Sequence, residues 1–132
     1  MNQAFVLDVS VAASWLLGDG EDRAWHALEG GAEAFVPTLW RYEIANALVL
    51  NERRGRVGAE QVEAFLETLE ELPIYEEDAW PSAASLVGQG RVHGLTAYDT
   101  AYLIIAQRLA IPLATNDRVL RRAAESAELT LL

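Results

Sequence analysis

The most informative segment for predicting the fold is 94–117, which reads GLTAYDTAYLIIAQRLAIPLATND. Thr96 can cap a strongly apolar helix that continues to about Ala110, because a threonine oxygen accepts from the free N–H groups of a first helical turn. A short apolar strand follows at 112–114, and another helix begins at about Asp117. A short buried strand between two helices is typical of an α/β domain with a largely parallel sheet.

The same alternation of short apolar runs and helical stretches continues outward from this segment. Strands or short extended pieces are predicted at 4–7, 34–36, 73–75 and 129–131. Helices are predicted at 10–17 with Ser10 as the cap, and at 21–29, 37–54, 59–71, 80–87 and 117–125. The glycines within 88–94 predict a loop. With 132 residues and no linker, the chain is expected to form one domain covering 1–132.

The composition is that of a folded globular protein, and it excludes several chemistries. Hydrophobic residues make up 52% of the chain, and the formal net charge is −10. All ten basic residues are arginines, and cysteine is absent. Lysine chemistry, thiol nucleophiles, disulfides and zinc–thiolate sites are therefore excluded. The apolar run at 4–7 is too short for a signal peptide or a membrane span, so a soluble, cytoplasmic protein is expected.

Four carboxylates stand where the periodicity predicts a strand end or the apolar face of a helix. Asp8 directly follows the first strand, and Asp117 follows the strand at 112–114 by three residues. Both would lie at the carboxyl edge of a parallel sheet, where open α/β folds bind their ligands. Glu43 and Asp99 each lie four residues from apolar neighbours on both sides, which places them on the inward stripe of their helices.

Two interpretations of these acids compete. Taken singly, Asp8 and Asp117 are more simply the caps of the helices that follow them. Glu43 and Asp99 need a partner, because an unpaired buried charge costs several kcal/mol. Taken together, the four predict a metal site. Ligands that are all oxygen favour Mg²⁺ or Mn²⁺, and hydrolysis of a phosphodiester is then the natural chemistry.

Four segments also resemble, in order and spacing, the motifs of the PIN-domain family. They are FVLDVSV at 5–11, PTLWRYEIANA at 37–47, GLTAYDTAYL at 94–103 and LATNDRVL at 113–120. The chain is similar in particular to VapC-type toxins of toxin–antitoxin pairs. This resemblance implies an endoribonuclease that depends on Mg²⁺ or Mn²⁺, with a parallel sheet of about five strands. It also implies a homodimer that a small VapB-like antitoxin holds inactive.

The resemblance implies roles for individual residues. The four acids match the metal-binding and catalytic positions of the family. Ser10 and Thr115 match its hydroxyl positions, where they would orient water or a carboxylate, with helix capping as the alternative. Arg118 adjoins Asp117 and is predicted to bind the substrate.

An acidic protein can bind RNA through a local positive potential and a bound metal. Arginines cluster at 53–56 and at 118–122, whereas 59–90 contains eight acids and no base. The leading prediction is a metal-dependent ribonuclease toxin. The alternatives are a PIN nuclease of RNA processing without an antitoxin, and a nuclease-dead module that regulates transcription with a partner.

Overall fold

A computed structural model describes residues 3–18, 22–78 and 80–132. The strands are β1 (Ala4–Leu7), β2 (Glu33–Val36), β3 (Ile74–Glu76) and β4 (Leu113–Ala114). The helices are α1 (Val9–Leu17), α2 (Arg23–Glu29), α3 (Leu39–Arg53), α4 (Ala59–Glu71), α5 (Ala83–His93), α6 (Ala97–Leu109) and α7 (Arg118–Ser126). The predicted α/β fold class is confirmed.

The sheet is parallel throughout the described strands, in the order β3-β2-β1-β4. The strand predicted at 129–131 forms only one bridge, which pairs Leu131 with Leu113. The sheet therefore has four strands rather than about five. Because β4 has only two residues, it offers little edge for a neighbouring strand. The neighbouring strands β1 and β4 bring their carboxyl ends to the same edge, directly before Asp8 and Thr115.

The core lies on both sides of β1. Phe5, Val6 and Leu7 are almost fully buried, as expected for a parallel strand covered by helices on both faces. The helix α6 packs against this sheet with Tyr102 and Leu103 fully buried. None of the helices in the described residues has both the length and the apolar composition of a membrane-spanning segment.

The loop predicted at 88–94 is wrong, because this stretch is part of α5. The helix begins after Ser82, whose side chain caps it, and ends at Gly94 with a left-handed φ of 67°. Helices tolerate interior glycines at a modest cost, and at Gly90 the glycine is required. A Cβ at Gly90 would lie 2.9 Å from the carbonyl oxygen of Leu95. The chain that follows α5 therefore packs directly against this glycine.

Two predicted helix starts also differ from the structure. Helix α1 begins at Val9, so Asp8 rather than Ser10 stands at the N-cap position. Helix α2 begins at Arg23, because the carboxylate of Asp22 accepts from the N–H groups of Ala24 and Trp25. The remaining residues of the predicted break and helix start, 19–21, lie outside the described residues.

Candidate active site

The four predicted acids come from four different elements, and their charges act on one another. Asp8 directly follows β1, Glu43 lies on α3, Asp99 lies in the first turn of α6, and Asp117 caps α7. The charge of Asp117 raises the pKa of Asp8. The charges of Asp8 and Asp99 raise the pKa of Glu43, and those of Asp117 and Asp8 raise the pKa of Asp99. The tertiary structure therefore brings together residues that lie up to 109 positions apart in the sequence.

Asp8 is the most buried of the four, with 4% of its surface exposed. Its Oδ2 accepts hydrogen bonds from the hydroxyls of Ser10 at 2.5 Å and Thr115 at 2.8 Å. Burial raises the pKa of Asp8 and the charge of Asp117 adds to the rise, whereas the two hydroxyls oppose it. No arginine of the described residues forms an ion pair with this carboxylate. Among the side chains of the described residues, only these two neutral hydroxyl groups stabilise the charge of Asp8.

Ser10 and Thr115 also connect the loop after β4 to the start of α1. The backbone N–H of Asn116 donates to Ser10 Oγ at 3.0 Å, and that of Asp117 donates to Thr115 Oγ1 at 3.0 Å. The two hydroxyl oxygens lie 3.4 Å apart. Each hydroxyl thus both holds a backbone group and orients the carboxylate of Asp8.

Glu43 is held by a buried tyrosine that the sequence did not identify as part of the site. Tyr102 Oη donates to Glu43 Oε1 at 2.6 Å, and Tyr102 itself is fully buried. Burial raises the pKa of Glu43, the tyrosine hydrogen bond lowers it, and the charges of Asp8 and Asp99 raise it further. Burial and the contact with Glu43 also raise the pKa of Tyr102, which keeps its hydroxyl a donor.

Asp99 and Asp117 differ in how much of each carboxylate is engaged. Asp117 Oδ1 accepts from the N–H groups of Val119 at 2.8 Å and Leu120 at 3.1 Å, so this acid is a helix cap. Within the described residues its Oδ2 makes no hydrogen bond. The pKa of Asp99 is raised by partial burial and by the charges of Asp117 and Asp8. Asp99 therefore points a half-buried carboxylate toward other negative charges.

This arrangement suits a hard cation with a hydration shell. Within the described residues, no three His, Cys, Asp or Glu side chains are arranged to hold an ion together. Mg²⁺, however, is usually bound through one or two carboxylates and keeps several waters. The donors here are all oxygens, and the pKa of three of the four acids is raised by burial and mutual repulsion. Both features fit a hydrated divalent cation, which would relieve the repulsion.

Arg118 and Arg121 differ in the contacts that their side chains make. Arg118 is exposed at the start of α7, and its side chain makes no hydrogen bond or ion pair with the described residues. Instead, Arg121 Nη1 donates to the carbonyl oxygen of Thr115 at 3.1 Å. The sequence contained a signal for this contact, because Arg121 lies one helical turn after the cap Asp117. A signal for Tyr102 also existed, since a buried tyrosine hydroxyl needs a polar partner.

Comparison with known proteins places these observations in a family. The sequence profile of the PIN domain matches residues 5–126. Ribonuclease VapC3 from Pyrobaculum aerophilum is 30% identical over 125 residues, which cover 87% of this chain and 90% of that protein. Ribonuclease VapC9 from Mycobacterium tuberculosis is 32% identical over 119 residues, which cover 85% of this chain and 84% of that protein.

Solved structures share the fold. PAE2754 from Pyrobaculum aerophilum superposes with a TM-score of 0.70 at 24% identity, covering 92% of this chain and 79% of that one. FitAcB from Neisseria gonorrhoeae superposes with a TM-score of 0.64 at 18% identity, covering 97% of this chain and 96% of that one. At these identities the likeness supports the architecture described above.

Proposed function

We propose a function for this chain, which belongs to the PIN-domain family and to its VapC-type members. It is a metal-dependent endoribonuclease. The same proposal makes it the toxin of a type II toxin–antitoxin module. One observation carries the chemistry. Four carboxylates from separate elements repel one another at the carboxyl edge of the sheet, and Asp8, the most buried, has no basic partner among the described residues.

Asp8, Glu43, Asp99 and Asp117 would hold the ion, which we propose to be Mg²⁺ or Mn²⁺. When bound, such an ion lowers the pKa of a coordinated water and polarises the phosphate of the RNA. The hydroxyls of Ser10 and Thr115 keep the carboxylate of Asp8 in one orientation. Asp117 uses one oxygen to cap α7 and has the other available toward the site. Arg118, beside Asp117 and exposed, would bind a phosphate of the substrate.

The partners follow from the same premise. We propose that a small VapB-like antitoxin inhibits the chain, that the chain forms a homodimer, and that it acts on RNA in the cytoplasm. The names of the VapC relatives support the toxin assignment over a processing nuclease. The presence of all four acids argues against a nuclease-dead regulatory module. Copurification with a small protein encoded by a neighbouring gene would separate the toxin from a processing nuclease.

The decisive experiment is cleavage of total cellular RNA by the purified, partner-free chain. We expect discrete fragments in Mg²⁺ or Mn²⁺, and none with EDTA or with Asp8→Asn. The asparagine has the same shape, so its Oδ1 can still accept from both hydroxyls. Asp78→Asn makes the same chemical change at an exposed position outside the site and should cleave normally. Intact RNA in every reaction, with a folded protein that binds metal, would contradict the nuclease proposal.

A further inference from the structure

A polar cavity of about 370 Å³ adjoins the acid cluster and has no role in the proposal above. Its lining includes Ser14, Asp22, Arg23, Thr115, Asn116 and Arg121. Thr115 belongs to both places, because its hydroxyl donates to Asp8 while its carbonyl oxygen accepts from Arg121. The cavity is therefore one residue away from the most buried carboxylate of the site.

Two arginines that line this cavity have N–H groups that make no hydrogen bond with the described residues. Arg121 has five N–H donors, of which one is used on the carbonyl oxygen of Thr115. Neither Arg23 nor Arg121 forms an ion pair with a carboxylate of the described residues. The nearby carboxylate of Asp22 is already engaged, because it accepts from two N–H groups of α2 and from the indole of Trp15. No carboxylate of residues 3–18, 22–78 or 80–132 therefore occupies either guanidinium group, and both can contact an external anion.

The side chains that line the cavity favour a phosphate group as its ligand. The planar fork of an arginine pairs with two oxygens of a phosphate at once, and it is weakly hydrated enough to do so at a surface. Asn116 adds a side chain with donor and acceptor groups at the same wall. On a chain whose net charge is −10, Arg23 and Arg121 place positive charge beside the acid cluster.

We propose that this cavity binds a phosphate of the RNA strand adjacent to the phosphodiester that is cut, with Arg121 as its main contact and Arg23 as its second. The proposal rests on the ribonuclease activity proposed above and adds a substrate subsite to it. The subsite holds the strand in place beside the acid cluster. Its loss should therefore weaken RNA binding more than it slows the cleavage of bound RNA.

The test is the affinity for a short, fluorescein-labelled, single-stranded RNA, measured by anisotropy over a series of salt concentrations. The Asp8→Asn background prevents cleavage during the measurement. Arg121→Gln should weaken binding about tenfold, as expected for the loss of a hydrogen bond between charged groups. It should also reduce the slope of log K against log salt by about 0.7, the value for one phosphate contact on a single strand. Arg23→Gln should act in the same direction.

Two further variants separate the subsite from general electrostatics. Arg122→Gln removes the same charge one residue along α7, at an exposed position that does not line the cavity, and should leave affinity and slope nearly unchanged. Arg121→Lys keeps the charge and should retain the salt slope while losing part of the affinity. Equal losses in Arg121→Gln and Arg122→Gln, or no loss in Arg121→Gln, would overturn the proposal. So would inorganic phosphate that binds through Arg121 without competing with the RNA.

Steady-state cleavage by otherwise unsubstituted chains distinguishes this inference from the proposed function. Arg121→Gln should raise KM with little change in kcat. A purely structural role for Arg121 in holding Thr115 would instead lower kcat and leave the salt slope unchanged, which would refute the subsite. If the unsubstituted chain cleaves no RNA, the proposed function fails, and the binding series still reports separately on the cavity.

Discussion

Asp8 and Asp117 occupy similar positions in the chain but have different structural roles. Both follow a strand and stand at the N-cap position of a helix, so the sequence allows capping for either. Asp117 does cap its helix with Oδ1, whereas the carboxylate of Asp8 accepts from the hydroxyls of Ser10 and Thr115. The difference arises because Thr115, which directly follows β4, reaches Asp8 across the sheet edge. A cap role therefore explains Asp117 in part and does not explain Asp8.

Tyr102 is predicted to act as a positioning residue for Glu43. Removing only its hydroxyl in Tyr102→Phe keeps the buried ring and deletes the 2.6 Å hydrogen bond. Partners that orient metal-binding carboxylates typically contribute ten- to a hundredfold to activity or metal affinity, so a loss of about this size is expected. The measurements are kcat for RNA cleavage and the Mg²⁺ concentration that gives half-maximal rate.

The control for this prediction is Tyr75→Phe, because Tyr75 lies half-exposed on β3 and its hydroxyl makes no hydrogen bond with any of the four acids. It should cleave as the unsubstituted chain does. An unchanged kcat and metal dependence in Tyr102→Phe would show that Glu43 keeps its position, or its role, without the tyrosine.

Before the junction of α5 and α6, the sequence predicts a loop where the structure has the end of helix α5. Gly88 and Gly90 indicated a loop, but both lie within α5. Leu95 donates its N–H to the carbonyl of Gly90 at 3.0 Å, and its own carbonyl lies against the same glycine. Thr96 then caps α6, accepting from the N–H of Asp99. This tight junction places the first turn of α6, and with it Asp99, at the site.

Replacing these two glycines by alanine should have opposite effects on stability. Gly88→Ala meets no atom within 4 Å and should stabilise the protein by up to about 1 kcal/mol, the usual gain of alanine over glycine in a helix. Gly90→Ala places a Cβ 2.9 Å from a backbone oxygen and should destabilise by roughly 1–3 kcal/mol, as overpacking does. Urea unfolding of both variants measures this. Equal effects would mean that the chain after α5 can move away at little cost.

Charge is unevenly distributed over the whole molecule. The helix α4 carries acids along its exposed surface, and two acids after β3 form ion pairs, Glu76 with Arg41 at 2.6 Å and Glu77 with Arg108 at 2.7 Å. Because the arginine of each pair is exposed, these pairs contribute at most about 1 kcal/mol each. The acid cluster differs, because burial and repulsion there destabilise the ionised form. Without metal, the site is therefore a source of instability at neutral pH.

This instability predicts an unusual pH dependence for the metal-free protein. The pKa values of Asp8, Glu43 and Asp99 are raised in the native state, so that state binds their protons more tightly than the unfolded chain does. The stability they contribute is present below their unfolded pKa values and is lost as pH rises through the raised native ones. The urea midpoint, followed by tryptophan fluorescence in EDTA, should therefore fall as pH rises from about 4 toward neutrality.

Mg²⁺ should restore the midpoint at neutral pH, because an ion that binds only the native state stabilises it. The matched comparison is Asp8→Asn, which removes the most buried of the three acids and should flatten the pH profile. A profile for Asp8→Asn as steep as that of the unsubstituted chain would assign the effect to the general excess of negative charge instead.

The amino-acid pattern alone is enough to predict the α/β class, the family through its four motifs, and the four acids as candidates for one site. Hydrophobic periodicity and strand-end position are local properties, so they need no tertiary structure. The packing of the elements adds contacts that no local pattern predicts. Ser10 and Thr115 bind Asp8, Tyr102 binds Glu43, and Arg121 donates to the carbonyl oxygen of Thr115. These contacts join residues from different elements, and their geometry depends on how β1, β4, α3, α6 and α7 pack. The periodicity of one helix or strand contains no information about that packing.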